Sequence, residues 1–203
     1  MRPYEQYCGV ARALDVVGER WSLLIVRELL EGPRRYGDLL AGLPGIATNL
    51  LADRLRRLES DGVVQRLGGA RYALTPWGAE LREAVYALGR WAGPRMERPR
   101  GSDAYQPSWM RHFVGANFDG VDAARRNLTV ELRCGGEPMT LVSRAGRVHL
   151  RAGAADSPDV TLGGPPDATI GVLLGRIDPA TAQRYGVEVR GDASRLTGLR
   201  ARA

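Results

Sequence analysis

The sequence predicts two domains of different fold class: a mainly α-helical N-terminal winged helix-turn-helix with a β-hairpin wing, and a C-terminal α+β sheet domain. Residues 33–75 combine two short amphipathic helix patterns with a basic strand-turn-strand pattern. Residues 128–190 contain mostly strand patterns separated by glycine turns. Residues 97–106, between them, are rich in proline, glycine and charge, which is typical of a linker. We therefore place the domains at residues 1–96 and 107–203.

The stretch over residues 33–75 has the element order of a winged helix-turn-helix. Its first helix ends at Pro44-Gly45. The apolar residues at helical spacing in this helix are Tyr36, Leu39, Leu40 and Leu43. Its second helix ends at Asp61-Gly62. This helix carries one apolar stripe, formed by Leu51, Leu55 and Leu58. Residues 63–67 and 71–74 then flank Gly68-Gly69, a pair that tolerates positive φ and favours a hairpin.

Further amphipathic helices are predicted on both sides of this stretch. The first helix has Val10, Leu14 and Val17 on one face. The second helix begins at Glu19-Arg20-Trp21 and ends at Gly32-Pro33. Its predicted buried stripe consists of Trp21, Leu24, Ile25 and Leu29. A last helix opens at Pro76 behind the N-cap Thr75 and carries Leu81, Val85, Leu88 and Trp91. A small winged domain cannot bury the first and last stripes internally, so we expect them to meet across the two-fold axis of a homodimer. Packing on the C-terminal domain is the alternative.

Composition restricts the possible functions. The chain of 203 residues has a formal net charge of +6, and all its basic residues are arginine, which permits nucleic-acid binding. No apolar run approaches the ~18 residues that cross a bilayer. The N-terminus lacks a signal-peptide layout, and two cysteines cannot make a disulfide framework. We expect a cytoplasmic protein without membrane insertion.

The outward face of the second motif helix is the predicted reading surface for double-stranded DNA. Asparagine can pair with adenine and arginine with guanine, whereas arginines near the first motif helix and the hairpin turn would meet phosphate. The predicted contacts are Arg34, Arg35, Thr48, Asn49, Arg54, Arg56 and Arg71. Thr48 capping the helix is an alternative to its base contact. Arg54 and Arg57 flank the core stripe, and ion pairs with Asp53, Asp61 or Glu59 are as compatible with the sequence as DNA contact.

Residues 7–91 resemble the HxlR-type winged-helix transcriptional regulators. The matching segments are Cys8, LDVVGERWSLLIVRELLEGPRRYGDLL, LPGI, LLADRLRRLESDGVV, YALTPWG and Leu88 to Trp91. The resemblance implies a homodimer that represses or activates transcription with its second motif helix in the major groove. Ala47 departs from the family, where a serine is common, and Thr48 would then take over the capping role.

The resemblance also gives Cys8 two interpretations. Some relatives carry a redox-sensing cysteine at this place, which would form an intersubunit disulfide and re-angle the two recognition helices. The alternative is a small buried hydrophobic residue. Cys134 receives no functional role.

The C-terminal half resembles a sterol-carrier-protein-like domain. The resemblance rests on residues 157–162, 173–179 and 187–192, which read SPDVTL, LLGRIDP and VEVRGD. It implies an apolar tunnel that holds lipid-like molecules. The candidate lining residues, each equally compatible with solid core, are Trp109, Phe113, Ile170, Leu173, Leu174 and Ile177.

Catalysis and cofactor chemistry are not expected. His112 and His149 have no partners at metal-ligand spacing, and no nucleophile motif or phosphate loop is present. The sequence therefore predicts a homodimeric DNA-binding regulator, without cofactor or metal, that a hydrophobic small molecule modulates through the C-terminal domain. The alternatives are a purely structural C-terminal domain, and a lipid carrier whose winged domain serves protein contacts.

Overall fold

The computed structural model describes residues 3–97, 101–118 and 127–199. The chain divides into two compact units, Met1–Val85 and Tyr86–Ala203. The division falls within a helix, upstream of the linker that the sequence predicts over residues 97–106. No helix in the described part of the chain is long and apolar enough to cross a membrane.

The first unit consists of helices around a small antiparallel sheet. Its helices are α1 (Gly9–Val17), α2 (Ser22–Leu29), α3 (Tyr36–Gly42), α4 (Thr48–Ser60), α5 (Pro76–Ala79) and the first residues of α6 (Leu81–Trp91). Its strands are β1 (Arg34–Arg35), β2 (Val64–Leu67) and β3 (Arg71–Leu74), in the order β1-β3-β2. The sequence analysis predicted the β2–β3 hairpin but not β1.

The apolar stripe of α4 lies in the core of this unit, as its spacing predicts. Leu51, Leu55 and Leu58 are at most 1% exposed. Leu39 and Leu43, at the end of α3, are equally buried. Since truncating a buried leucine to alanine typically costs about 2–5 kcal/mol, this stripe fixes which face of α4 remains outward.

Two helix predictions need correction. Trp21 precedes α2 in a left-handed conformation with φ of 78°, and the helix begins at Ser22. The buried stripe therefore includes Ile25, Val26 and Leu29, whereas Leu24 is 41% exposed.

The helix predicted from Pro76 is also interrupted at Glu80. Thr75 caps its start as predicted, since its hydroxyl accepts the Gly78 N–H at 3.0 Å. Gly78 packs so closely on the Val63 carbonyl that a Cβ there would lie 2.1 Å from the oxygen. Because glycine is a weak helix former, this tight first segment ends after one turn, and α6 follows separately.

The second unit is built on a five-stranded mixed sheet, which gives it the predicted α+β class. Besides the remainder of α6 and a 3-10 helix at Gly93–Glu97, it contains α7 (Trp109–Phe118), α8 (Pro166–Leu173), α9 (Pro179–Arg184) and a closing 3-10 helix (Ala193–Gly198). The strands are β4 (Leu128–Arg133), β5 (Met139–Arg144), β6 (Arg147–Ala152), β7 (Val160–Gly163) and β8 (Glu188–Gly191), in the order β6-β5-β4-β7-β8. Only β4 and β7 pair in parallel among these neighbours.

Asp159 joins three parts of the second unit. Its carboxylate accepts the Thr129 N–H at 2.7 Å at the start of β4, and it forms an ion pair with Arg195 in the closing 3-10 helix. Its carbonyl accepts the Asp192 N–H at 3.2 Å. The segment Ser157–Leu162 therefore acts as a structural joint between the sheet and the C-terminal residues.

Candidate DNA interface

The outward face of α4 is polar and lies opposite the buried leucines. Thr48 and Asn49 are exposed at its start, and the side chains of Asp53 and Arg56 are 54% and 73% exposed further along. Successive helical residues turn by about 100°, so Asn49, Asp53 and Arg56 share an arc of about 60°. This arc is free to enter a groove.

The start of α4 has no side-chain cap. Ala47 is the N-cap residue and Thr48 is the first helical residue, so the capping role proposed for Thr48 is wrong. The alanine side chain has no atom that can accept a backbone N–H, and Thr48 is already the first residue inside the helix. The Thr48 carbonyl instead accepts the Tyr36 hydroxyl at 2.5 Å, which ties the start of α4 to the start of α3.

The side chain of Asn49 makes one hydrogen bond within α4. Its Oδ1 accepts the backbone N–H of Leu50 at 2.9 Å. The side-chain amide therefore offers its NH₂ group outward, and a donor can reach the acceptor atoms of a purine in the major groove.

The three arginines of α4 occupy different environments. Arg56 forms an ion pair with Asp53 on the outward arc. Arg57 pairs with Asp61 at 2.8 Å on the flank of the helix. Arg54 pairs with Glu19 and donates from Nε to the Arg20 carbonyl at 3.1 Å, so it links α4 to the segment that precedes α2. Glu19 was not among the acids considered for Arg54.

The small sheet forms a basic wing that brings four arginines together. In one rung Arg35 lies directly opposite Arg71, with Leu67 on the other side of Arg71. In the next rung Arg34 and Arg66 lie on either side of Tyr72. The sequence analysis identified three of these arginines and missed Arg66, although its position opposite an aromatic residue in the predicted hairpin was a usable signal.

Arg66 is held by Tyr72. Its guanidinium lies over the tyrosine ring at 5.2 Å from the centroid and donates to the hydroxyl at 2.7 Å. The hydrogen bond to Tyr72 also raises the pKa of Arg66. Arg34 is half-buried, and its Nε has no hydrogen-bond partner within the described residues.

Arg35 and Arg71 are both exposed, and neither forms an ion pair within residues 3–97, 101–118 and 127–199. Arg71 donates from Nε to the Gly68 carbonyl at 3.4 Å, and the Arg35 backbone N–H donates to Asp38 at 3.0 Å. Like charges directly opposite each other destabilise an antiparallel pair. A bound anion between these two side chains would relieve their repulsion.

Comparison with known proteins agrees with this geometry. The family model for the HxlR-like helix-turn-helix matches residues 16–99. The HTH-type transcriptional regulator Rv3095 of Mycobacterium tuberculosis (strain H37Rv) is 36% identical over 138 residues, which cover 61% of this chain and 84% of the relative. YtfH of Escherichia coli (strain K12), also an HTH-type transcriptional regulator, is 34% identical over 94 residues. The match covers 43% of this chain and 75% of YtfH.

The chain belongs to the HxlR-like helix-turn-helix family. Among solved structures, quinone-bound YodB from Bacillus subtilis is similar at 32% identity, with 42% of this chain and 96% of YodB covered and a TM-score of 0.39. Because that score is low, family membership rests on the sequence. This HxlR-like chain is a transcriptional regulator with a DNA-binding helix-turn-helix, and its relatives are named as regulators and not as enzymes.

Cys8 of this HxlR-like regulator is exposed at the N-cap of α1, so the alternative of a small buried residue does not hold within the single chain. Its side chain makes no capping hydrogen bond. The backbone N–H groups of Ala11 and Val10 nevertheless favour the thiolate and lower the pKa of the Cys8 thiol. Cys134, in contrast, is buried, and burial raises the pKa of its thiol.

The first helix leaves much of its apolar face uncovered. Tyr7, Val10 and Leu14 are exposed, whereas Val17 at the end of α1 is buried. A groove of about 650 Å³ runs between α1 and the α5–α6 segment, and Val16, Trp77 and Leu81 contribute to its lining.

The predicted pocket residues of the second unit belong to one hydrophobic core cluster or its surroundings. Leu173 is buried in that cluster, and Phe113, Ile170 and Ile177 are partly buried against it. Trp109 and Leu174 are also half-buried. The described residues contain no group of three or more potential metal ligands.

Proposed function

We propose that this regulator is a homodimer that binds double-stranded DNA sequence-specifically, with α4 in the major groove and the wing on phosphate. The observation that carries the proposal is the cross-strand pair Arg35 and Arg71, two exposed arginines whose guanidinium groups form no ion pair with any described residue. Phosphates between them would remove their repulsion. Since duplex DNA carries one negative charge per about 1.7 Å of axis, it supplies such charges at any register.

The connection between wing and helix supports simultaneous contact. β1 leads directly into α3, and the Tyr36 hydroxyl bonds to the first residue of α4. The wing therefore anchors the register, while Asn49 and Arg56 read base edges. Arg54 is not assigned this role, because its side chain is only 21% exposed and its guanidinium bonds both Glu19 and the Arg20 carbonyl.

The uncovered apolar residues of α1 support a homodimer. Val10 is 69% exposed and Leu14 is 39% exposed. A second copy of the same helix would cover them in a self-complementary contact. The two recognition helices would then read half-sites roughly one helical turn apart, about 10 bp.

For the C-terminal unit we propose a sterol-carrier-protein-like domain that binds a hydrophobic small molecule and modulates DNA affinity. Its sheet-and-helix architecture and the partly buried Phe113, Ile170 and Ile177 support this assignment. Ligand affinity and DNA affinity would change each other by the same factor. A purely structural second unit is the alternative, and titration of the DNA complex with long-chain fatty acids and sterols distinguishes them, since only an effector domain changes the Kd.

Cys8 supports redox modulation as a second proposal. An exposed thiol with a lowered pKa reacts with mild oxidants more readily than an ordinary cysteine. Two copies of Cys8 near a two-fold axis would form an intersubunit disulfide.

Selection from a random duplex pool tests the DNA proposal. We expect the purified, reduced chain to enrich a palindrome, and mild oxidation to change its affinity only when Cys8 is present, with Cys8→Ser as the matched control. Absence of enrichment at both low and moderate salt would overturn sequence-specific binding and favour a carrier whose winged unit contacts proteins.

A further inference from the structure

We propose that Asp53 is a positioning residue for base recognition: its carboxylate orients Arg56 so that the guanidinium reads a guanine. The inference rests on the proposed binding of α4 in the major groove. It adds a residue that sequence analysis treated only as a salt-bridge partner, and it assigns Arg56 one class of base.

The two side chains meet on the outward arc of the recognition helix. Asp53 and Arg56 are three residues apart, form an ion pair and are both more than half exposed. Buried Leu51, Leu55 and Leu58 fix the opposite face, so this pair points away from the core. Arg57 and Asp61, the other acid–base pair on α4, lie off this arc.

The chemistry favours a positioning role for Asp53. A carboxylate on a DNA-facing surface repels phosphate, so by itself it lowers affinity. Arginine has five N–H donors in a rigid plane, and one bond to Asp53 leaves two parallel donors for guanine O6 and N7. Fixing that plane reduces the entropy that the flexible side chain loses on binding.

The experiment uses the full chain and the operator obtained by random-pool selection. The Kd is measured for the operator, for every single-base-pair variant of it and for an unrelated duplex, with wild type, Arg56→Ala, Asp53→Asn and the double variant. Arg56→Ala should abolish discrimination at one G·C pair. Asp53→Asn should lower discrimination at that same pair by roughly fivefold or more, the lower end of what a bidentate arginine–guanine contact contributes.

Asp53→Asn should also tighten binding to the unrelated duplex, because it removes one negative charge from the interface. These opposite changes separate lost specificity from lost folding. Asp61→Asn is the matched control: it removes the same charge and the partner of another arginine on the same helix, and it should leave every base preference unchanged.

The double variant tests whether Asp53 acts through Arg56. In the Arg56→Ala background Asp53→Asn should have no further effect on discrimination. A remaining effect would mean that Asp53 reads a base itself and would overturn the positioning role, as would unchanged discrimination in Asp53→Asn alone. If wild type enriches no operator, the proposed function fails; if it enriches one and Asp53→Asn is neutral, only this inference fails.

Discussion

Two parts of the molecule use arginine in opposite ways. In the second unit Arg195 pairs with Asp159, and Arg133 donates to the buried Glu131 at 2.6 Å, so these two arginines complete the fold. In the wing of the first unit, Arg35 and Arg71 face each other without acidic partners. Arg144 and Arg147 also lie opposite each other, without an ion pair to any described residue, in the β5–β6 hairpin of the second unit. A facing pair therefore does not by itself mark a DNA surface, and what distinguishes the wing is its connection to the start of α4.

Exposed large apolar residues are concentrated before residue 97, a region that includes the first residues of the second unit, Leu88, Trp91 and Met96 among them. Among the described residues, Tyr185 is the only exposed large hydrophobic side chain after residue 101. Those before residue 97 include Tyr7, Val10, Leu14 and Trp77. The described residues before 97 thus leave apolar side chains available for partners, whereas those after residue 101 bury nearly all of their large apolar side chains at least in part.

The two cysteines, one in each unit, should show the largest difference. We expect iodoacetamide at neutral pH to modify Cys8 on the order of a thousand times faster than Cys134, because alkylation of a buried thiol requires local opening. Since the pKa of Cys8 is lowered, its rate should fall less between pH 8 and pH 6 than that of a free cysteine peptide. Peptide mapping by mass spectrometry measures both rates.

Cys8→Ser is the control, and it should leave a native chain that is almost unreactive. Comparable labelling of Cys134 in the native state would contradict the contrast, because it would mean that the sheet unit opens readily.

The exposed apolar face of α1 should control oligomeric state. We expect the double substitution Val10→Asp and Leu14→Asp to weaken dimerisation by roughly a hundredfold or more, because it would bury unpaired carboxylates in the interface. Sedimentation equilibrium measures the dissociation constant. Tyr185→Asp is the control from the other unit and should not change it; a wild-type chain that is monomeric at high concentration would refute the homodimer.

Local patterns predicted much of this fold. The stripe of Leu51, Leu55 and Leu58 gave the orientation of α4, and Thr75 was predicted as the N-cap that it is. The missed features depend on distant parts of the chain. β1 has two residues and exists only by pairing with β3, and the Arg54–Glu19 ion pair joins residues far apart in sequence. Periodicity contains no information about such contacts.

Asp159 should matter for stability and not for DNA binding. Replacing it with alanine removes a charged acceptor from Thr129 and the partner of Arg195, so we expect a loss of about 1.5–3 kcal/mol in the free energy of unfolding. Urea denaturation measures the loss. Glu188→Ala removes a carboxylate from the exposed pair with Arg190 and should cost less than about 1 kcal/mol. Equal losses would show that Asp159 is not a joint.

The wing should show the smallest effect, and it is the one most specific to function. We expect Arg35→Ala with Arg71→Ala to weaken binding to all duplexes roughly tenfold and to reduce the slope of log K against log salt by about 2, since two phosphate contacts disappear. Base preference should not change, because phosphate contacts carry no sequence information. Fluorescence anisotropy across a salt series measures affinity and slope together.

Arg190→Ala with Arg147→Ala is the matched control for charge, because it removes two exposed arginines of the second unit. Its salt slope should equal that of wild type. A slope that falls equally in both double variants would mean that net charge and not the facing pair drives association, and the contrast between the units would then have no bearing on DNA binding.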